Sequence, residues 1–433
     1  MIQVRSAVAW LATELRLAFT TFSGPDADRA RNARVRSVDV ALVCLVIALP
    51  WSTAASLVAL ISAGALLLLT VPLSMWPKTL ARPACWLTLA LFILALAGTA
   101  WAHGVPAHDK VRSIGQAYKL TMIGLLFVHY QESRRAAWVF GFFVASNLVL
   151  LAYSYGVFAV PQLALIDKGQ AGVAVKNYID QSQGFALCAV ALVALAVDTA
   201  RRHRRRLALG LAALALAFVL NLAFVNVART ALVYLPVMLL VVLGRSLNGR
   251  RFAAAVAALA VLVLAAWAAS PNLQTKVARI FSETAQFGTP VGPGGPVSAA
   301  MRLEYWEKSL AFVRTAPLIG HGTGATRMLF ARDAEGKTDL EALVTANPHN
   351  QTLAVALQWG LVGCLLLWAM WLAHLALFRA PGFAALFGLV AVVQNILGSL
   401  FNSHLFDFYE GWIYVLAVGI AGGLVLRQRA EAA

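Results

Sequence analysis

The chain has 433 residues, of which 61% are hydrophobic and 12% charged, and its mean hydropathy is +0.75. That composition excludes a soluble globular enzyme, a small secreted domain, a coiled coil, a disordered chain and a nucleic-acid enzyme with an added anchor, because apolar runs of about 20 residues, enough to cross a bilayer, recur along nearly the whole length. In such a chain the net charge of +16 points to loops lying on anionic lipid rather than to nucleic acid.

Residues 1–37 hold arginines and apolar positions at helical spacing (Val8, Leu11, Leu15, Phe19, Phe22) without a signal-peptide pattern, and read as an interfacial helix or a loose tail. Spans are then expected near 38–53, 55–75, 84–101, 113–130, 136–158, 184–199, 207–225, 230–244 and 252–270, and after a long interruption near 351–374, 382–401 and 411–426. The count returns both termini to one side. That side gathers Arg134, Arg135, Arg201, Arg202, Arg204, Arg205, Arg206, Arg250 and Arg251 in short loops, which makes it cytoplasmic. The expected fold is an all-α polytopic membrane protein: a cytoplasmic segment over 1–37, nine helices over 38–270, a large periplasmic loop over 271–350, three helices over 351–426 and a cytoplasmic tail over 427–433. Cys44, Cys85, Cys188 and Cys364 fall inside spans and read as small buried apolar residues rather than disulfide partners.

The long loop has three sections. It starts amphipathic (Leu273, Val277, Ile280, Phe281), passes through a Gly/Pro run from Gly288 to Pro296 that is a candidate lid or hinge, and resumes a helical pattern from Ser298 to about Thr315. There Leu303, Trp306, Leu310 and Val313 recur at spacings of three and four, Glu304 and Lys308 are one turn apart, Arg302 lies in the first turn and Pro317 marks the stop. The chain re-enters the membrane through Thr345-Ala-Asn-Pro-His-Asn-Gln-Thr-Leu353, where Asn347 reads as the N-cap, Pro348 as the first helical residue, and His349 and Asn350 as part of the first turn. Free N–H groups there disfavour imidazolium, so His349 is expected neutral and able to accept a proton near pH 7.

Arg229, in the short outer turn before the eighth span, has apolar flanks and no surface patch to join, and a cation at a membrane edge is costly unless used. It is expected to share an outer cavity with Arg302 and His349. Lys119, Lys176, Asn177, Tyr178, Gln181 and Gln183 are further candidates to line it, and Asn402, His404, Asp407 and Glu410 face the same side to bind sugar hydroxyls or an acceptor cation.

These residues resemble the O-antigen ligase and polymerase superfamily of bacterial inner membranes. The resemblance rests on Arg229-Thr-Ala after an outer turn, on Arg302-x-x-x-Trp306 followed by Ala316-Pro-Leu-Ile-Gly-His-Gly-Thr-Gly324, and on Pro348-His349-Asn350-x-x-Leu353 ahead of Trp359-Gly-Leu-Val-Gly363. It covers roughly residues 220–370. It implies a GT-C-like glycosyltransferase that moves a glycan from an undecaprenyl-diphosphate carrier at the periplasmic face, with no cofactor, nucleotide or metal. Ligases of the superfamily use lipid A-core as acceptor, polymerases another carrier-linked repeat, and a third group protein.

The residue chemistry agrees with that implication. A diphosphate leaving group needs fixed cations and no acid, and an attacking sugar hydroxyl needs a base. Arg229 and Arg302 are the expected grip and His349 the expected base. Asn350, Lys176, Asn177, Tyr178, Gln183, Trp306, His321 and Asp407 are the expected substrate-binding residues. Simpler roles compete with these: His349 as an interfacial or capping residue, Arg302 paired with Glu304, Glu307 or lipid phosphate, Arg229 as a snorkelling anchor, and His321 as a turn residue whose neighbouring glycines permit close approach to backbone or phosphate. No Walker A sequence or metal-ligand spacing occurs, and Asp26-Ala-Asp28 lies in the cytoplasmic segment. A major-facilitator-type transporter would need matching halves joined by a long cytoplasmic loop, and none is evident. A protein-glycosylating member would carry a longer C-terminal domain and a polymerase two comparable outer loops, so ligase is the expected function and polymerase the runner-up.

Overall fold

A computed structural model shows a helical protein with no strand among the described residues, which are 26–166, 170–173, 175–226, 228–285 and 298–432. The amphipathic stretch before residue 26 and the Gly/Pro run from Gly288 to Pro296 lie outside the described residues. The helices are α1 (Asp26–Ala48), α2 (Thr53–Thr70), α3 (Pro83–Ala97), α4 (Ala107–Ala117), α5 (Thr121–Glu132), α6 (Ala136–Ala159), α7 (Tyr178–Arg201), α8 (Arg205–Leu220), α9 (Ala231–Ser246), α10 (Gly249–Ala269), α11 (Pro271–Thr284), α12 (Ser298–Thr315), α13 (Ala325–Asp333), α14 (Gln351–Leu377), α15 (Phe383–Gly398) and α16 (Phe408–Ala432). Helices α2, α6, α7, α10, α14, α16 and the stretch Arg205–Val225, which is α8 with a terminal π turn, are long and apolar enough to cross a membrane; α3, α9 and α15 are apolar but shorter. The protein is thus an all-α, multi-pass membrane protein. Helix is the natural answer to such sequences, since hydrocarbon offers backbone groups no other partner.

Local signals set the ends. Ser52 caps α2 by accepting the Ala55 N–H (3.2 Å), and Asn177 caps α7 by accepting those of Ile179 and Asp180 (both 2.9 Å), which starts α7 six residues before the expected 184. The span expected at 113–130 is not one helix. It is α4, a 3-10 turn Tyr118–Leu120 and α5, and the turn places Lys119 where its ammonium donates to the carbonyls of Phe406 (3.1 Å) and Asp407 (2.6 Å).

Helix α16 is the buried axis of the bundle, and α5 packs along it where Gly419, Gly422 and Gly423 leave room for Leu126, Phe127 and Tyr130. At the opposite extreme, α10 has no fully buried residue and packs closely only on its chain neighbours α9 and α11, leaving most of its apolar surface exposed. Cys85 and Cys188 are buried as expected, but Cys44 is exposed and Cys364 half-buried, because α1 and α14 present those positions to the outside of the bundle. At the end of the bundle holding the α5–α6 turn, the fully buried Asp39 accepts from Ser133 (2.8 Å), meets His129 Nε2 at 2.8 Å and lies 3.5 Å from Arg135, tying α1 to that turn.

Helix α14 is broken at Gly360, whose φ of 58° and ψ of −152° are open only to glycine. The turn after α12 fills the break. Leu361 and Val362 N–H donate to the carbonyls of Pro317 (2.8 Å) and Leu318 (3.2 Å), while the carbonyls of Leu357 and Gln358 accept from His321 and Gly322 (both 2.9 Å). Gly360→Ala would place a methyl within 2.6 Å of the Ile319 nitrogen in a forbidden backbone conformation, at a cost of about 3 kcal/mol. Thermal unfolding in detergent should register this as a clear loss of stability, and an unchanged melting temperature would mean that the break is not structurally required.

Candidate active site

The cavity is built from the polar face of α11 upward. Ser270 caps α11 by accepting the Leu273 N–H (3.2 Å) and donates to the carbonyl of Ala223 (3.0 Å) in the π turn Asn221–Val225. Helix α11 therefore lies against the π turn that precedes Arg229. Lys276, Arg279 and Glu283 share one face of it at spacings of three and four. Glu283 takes Arg229 in a bidentate pair, Nη1 to Oε2 and Nη2 to Oε1 both at 2.6 Å, which raises the Arg229 pKa and lowers that of Glu283. The same carboxylate accepts the Ala299 N–H (3.3 Å) at the start of α12, bringing Arg302 to the same place one turn later.

Arg302 has no hydrogen-bond or ion-pair partner among the described residues; Glu304, one of its expected partners, lies 3.5 Å from Lys308 instead. Burial first, and the Arg229 charge after it, push its pKa below the ordinary guanidinium value. Burial, then Arg229 and Arg279, likewise lower the pKa of Lys276. Arg229, Lys276 and Arg302 line an open cavity of about 610 Å³, whose wall includes Tyr178, Asn402 and His404. Of these lining cations only Arg229 is paired with a carboxylate, Glu283, and with Arg279 nearby on α11 the cavity carries a surplus of positive charge suited to an anion.

His349 stands behind this wall, bonded to Asn402 and close enough to Arg302 to feel its charge. It is not in the first turn of α14. The N-cap is Asn350, accepting the Leu353 N–H (3.1 Å), and the helix starts at Gln351; His349 has a φ of +55° and Asn347 accepts its N–H at 2.8 Å. A left-handed residue cannot continue a helix, so Asn347 makes a local turn instead of a cap. The neutrality expected from the helix end has other causes here: burial first, then Arg302, lower the His349 pKa, opposed by the Asn402 hydrogen bond and Asp407. Tyr305 stacks on the ring at 6.0 Å and Trp306 donates to the His349 carbonyl (3.4 Å).

The remaining expected substrate-binding residues divide sharply. Tyr178 lines the cavity. Asp407 lies at its margin, 3.1 Å from His404 Nδ1. Trp306 supports His349 from behind, while Asn350 and Asn177 are spent as helix caps. Lys176 donates to the Leu49 carbonyl (2.8 Å) and lies over the Tyr409 ring at 5.3 Å, and Gln183 is buried inside α7; neither lines the cavity. His321 turns away, its Nε2 meeting the Phe312 carbonyl at 2.9 Å and Thr315 at 3.1 Å. The glycines beside it approach protein backbone, not phosphate: a Cβ on Gly320 would fall 2.5 Å from the Trp359 nitrogen.

Sequence reading missed Lys276 and Glu283, although their spacing along the polar face of α11 was visible. It named Asn402 without its link to His349, which only the folded chain creates. Among the described residues, His404, Asp407 and Glu410 are the one group with ligand-type atoms within 4.8 Å of one another. The Lys119 ammonium donates to the Asp407 carbonyl there, and we assign the group no metal. For the cavity cations, calorimetric titration of the detergent-purified protein with inorganic pyrophosphate should show about tenfold weaker binding for Lys276→Ala and Arg302→Lys, and tighter binding for Glu283→Gln. Equal affinities in all variants would show that this charge does not govern anion binding.

No curated protein matches the chain. Residues 220–369 match a family model described as O-Antigen ligase, and the matched stretch runs from the end of α8 into α14, taking in Arg229, Lys276, Glu283, Arg302, His349 and Gly360. The cavity cations and the pair of segments joined at Gly360 thus lie within the matched stretch, which supports a place in the O-antigen ligase and polymerase superfamily, whose members are glycosyltransferase-like enzymes of O-antigen processing.

Proposed function

We propose that the protein is an O-antigen ligase that transfers a glycan from undecaprenyl diphosphate to a sugar hydroxyl of lipid A-core, at the periplasmic face of the bacterial inner membrane and without metal or nucleotide. In this reading both ends of the chain are cytoplasmic and residues 271–350 are periplasmic. The observation that supports it is the cation-lined cavity beside a histidine whose pKa is lowered by burial and by Arg302.

The acceptor hydroxyl oxygen attacks the anomeric carbon, its proton passes to His349 Nε2, and the bond from that carbon to the diphosphate oxygen breaks with the electron pair leaving on the diphosphate. Arg302 offers the open guanidinium fork, Lys276 a point charge, and Arg229 a charge already oriented by Glu283. These cations do for the leaving group what a metal does in other transferases, and the displacement inverts the anomeric centre. Tyr178 and Asn402, which line the cavity, and Asp407 beside His404 are the groups assigned to the acceptor sugar in this reading.

The test uses purified protein in detergent with carrier-linked glycan and lipid A-core, EDTA present and nucleotide absent, followed by gel. Glycan on lipid A-core is expected. Lengthening on the carrier would replace ligase by polymerase, and no product from folded protein would sink both. His349→Ala should abolish turnover while donor binding survives. Because only neutral His349 accepts the proton and its pKa lies below the ordinary 6.5, the rate should hold level through neutrality and fall only as pH drops below that value. A fall beginning above it would place the base elsewhere.

A further inference from the structure

Two asparagines surround His349, and backbone donors fix how both amides are turned. The His349 N–H donates to Asn347 Oδ1 (2.8 Å), so the other end of that amide, which faces Asn402 Oδ1 at 2.9 Å, is the NH₂ group. The Ser403 N–H donates to Asn402 Oδ1 (3.0 Å), so the Asn402 atom 2.9 Å from His349 Nδ1 is an oxygen. An amide oxygen only accepts, and Nδ1 must therefore carry the hydrogen. Ser403 Oγ closes the network by donating to Asn347 Oδ1 (2.8 Å). His349 Nε2 keeps its lone pair and has no hydrogen-bond partner among the described residues.

We infer that Asn402 is the positioning residue of the active site, holding His349 as the Nδ1–H tautomer with Nε2 free to take the acceptor's proton. This rests on the proposed transfer reaction for its purpose, though not for its geometry. The neutral imidazole in solution prefers the opposite tautomer, with hydrogen on Nε2, which offers the acceptor no base on that side. A carboxylate in place of Asn402 would orient the ring equally well but would stabilise imidazolium, and imidazolium accepts no proton. The other charged or titratable groups around the ring are Arg302 and Tyr305 from α12 and His404 and Asp407 from the loop before α16. Of these Arg302 and His404 disfavour imidazolium and Asp407 favours it. A neutral acceptor at 402 thus leaves the base uncharged, and an aspartate there would not.

The test uses the full chain with ¹⁵N-labelled histidine in lipid, reading the His349 tautomer by solid-state NMR against the His349→Ala spectrum, beside pH profiles of transfer. In the unaltered protein His349 is expected wholly as Nδ1–H. Asn402→Asp is isosteric and keeps every acceptor, so it should fold, keep the tautomer, and move the acid limb of the rate upward by about one pH unit or more. Asn402→Ala should mix the tautomers and lower kcat by about tenfold or more, with little change in donor KM. An Nε2–H signal in the unaltered protein, or Asn402→Asp and unaltered profiles that superimpose, would overturn the inference. Were no glycan transferred at all, the spectrum would still decide the tautomer, so failure of the reaction and failure of the positioning role are read separately.

Discussion

Where α14 breaks at Gly360, the N–H groups of Leu361 and Val362 and the carbonyls of Leu357 and Gln358 lose their helical partners and find them on Pro317, Leu318, His321 and Gly322. Unsatisfied backbone groups in or near hydrocarbon cost several kcal/mol each, so the exchange can be made only if both segments fit closely. Gly360 and Gly320 supply that closeness by lacking a Cβ. Further bonds extend the joint into the bundle: Trp359 Nε1 donates to Thr323 (3.0 Å), and Thr323 donates in turn to the Ala95 carbonyl of α3 (2.6 Å). The outer piece of α14 is thereby anchored independently of its spanning piece, and the His349 turn is carried at its end.

The cavity cations pose the opposite kind of constraint. Arg229, Lys276 and Arg302 repel one another, and the Glu283 carboxylate offsets only part of that repulsion. The arrangement stores an unmet demand for negative charge, relieved when an anion enters. The Glu283 carboxylate accepts from both Arg229 and the start of α12, so the cations are held in place by the protein itself; in the proposed reaction little reorganisation would then be needed as charge develops on the leaving group. His349 feels that field through Arg302, and the Asn347, Asn402 and Ser403 network orients its ring with neutral groups that add no further charge.

Local chemistry was legible wherever it was local. The α12 boundaries and the Glu304 to Lys308 pair follow from residue type and spacing. Errors arose where a residue had two plausible partners. Asn347 and Asn350 are both good caps, and the helix starts after Asn350 because His349, at a φ of +55°, cannot continue a helix begun at Asn347. The glycine turn at 320–324 reads equally well as a cradle for phosphate or for backbone, and only the break in α14 decides for backbone.

The sequence by itself determined that the chain is helical and membrane-spanning, because hydrophobicity and the need to satisfy backbone groups in lipid act on contiguous residues. It also determined which residue types were available for the chemistry. The tertiary structure alone decided that Glu283 pairs with Arg229, that Lys276 joins the cavity while Lys176 and His321 do not, and that Asn402 meets His349. Those contacts join segments separated by tens of residues, and their partners are chosen by shape and charge only after the helices have packed.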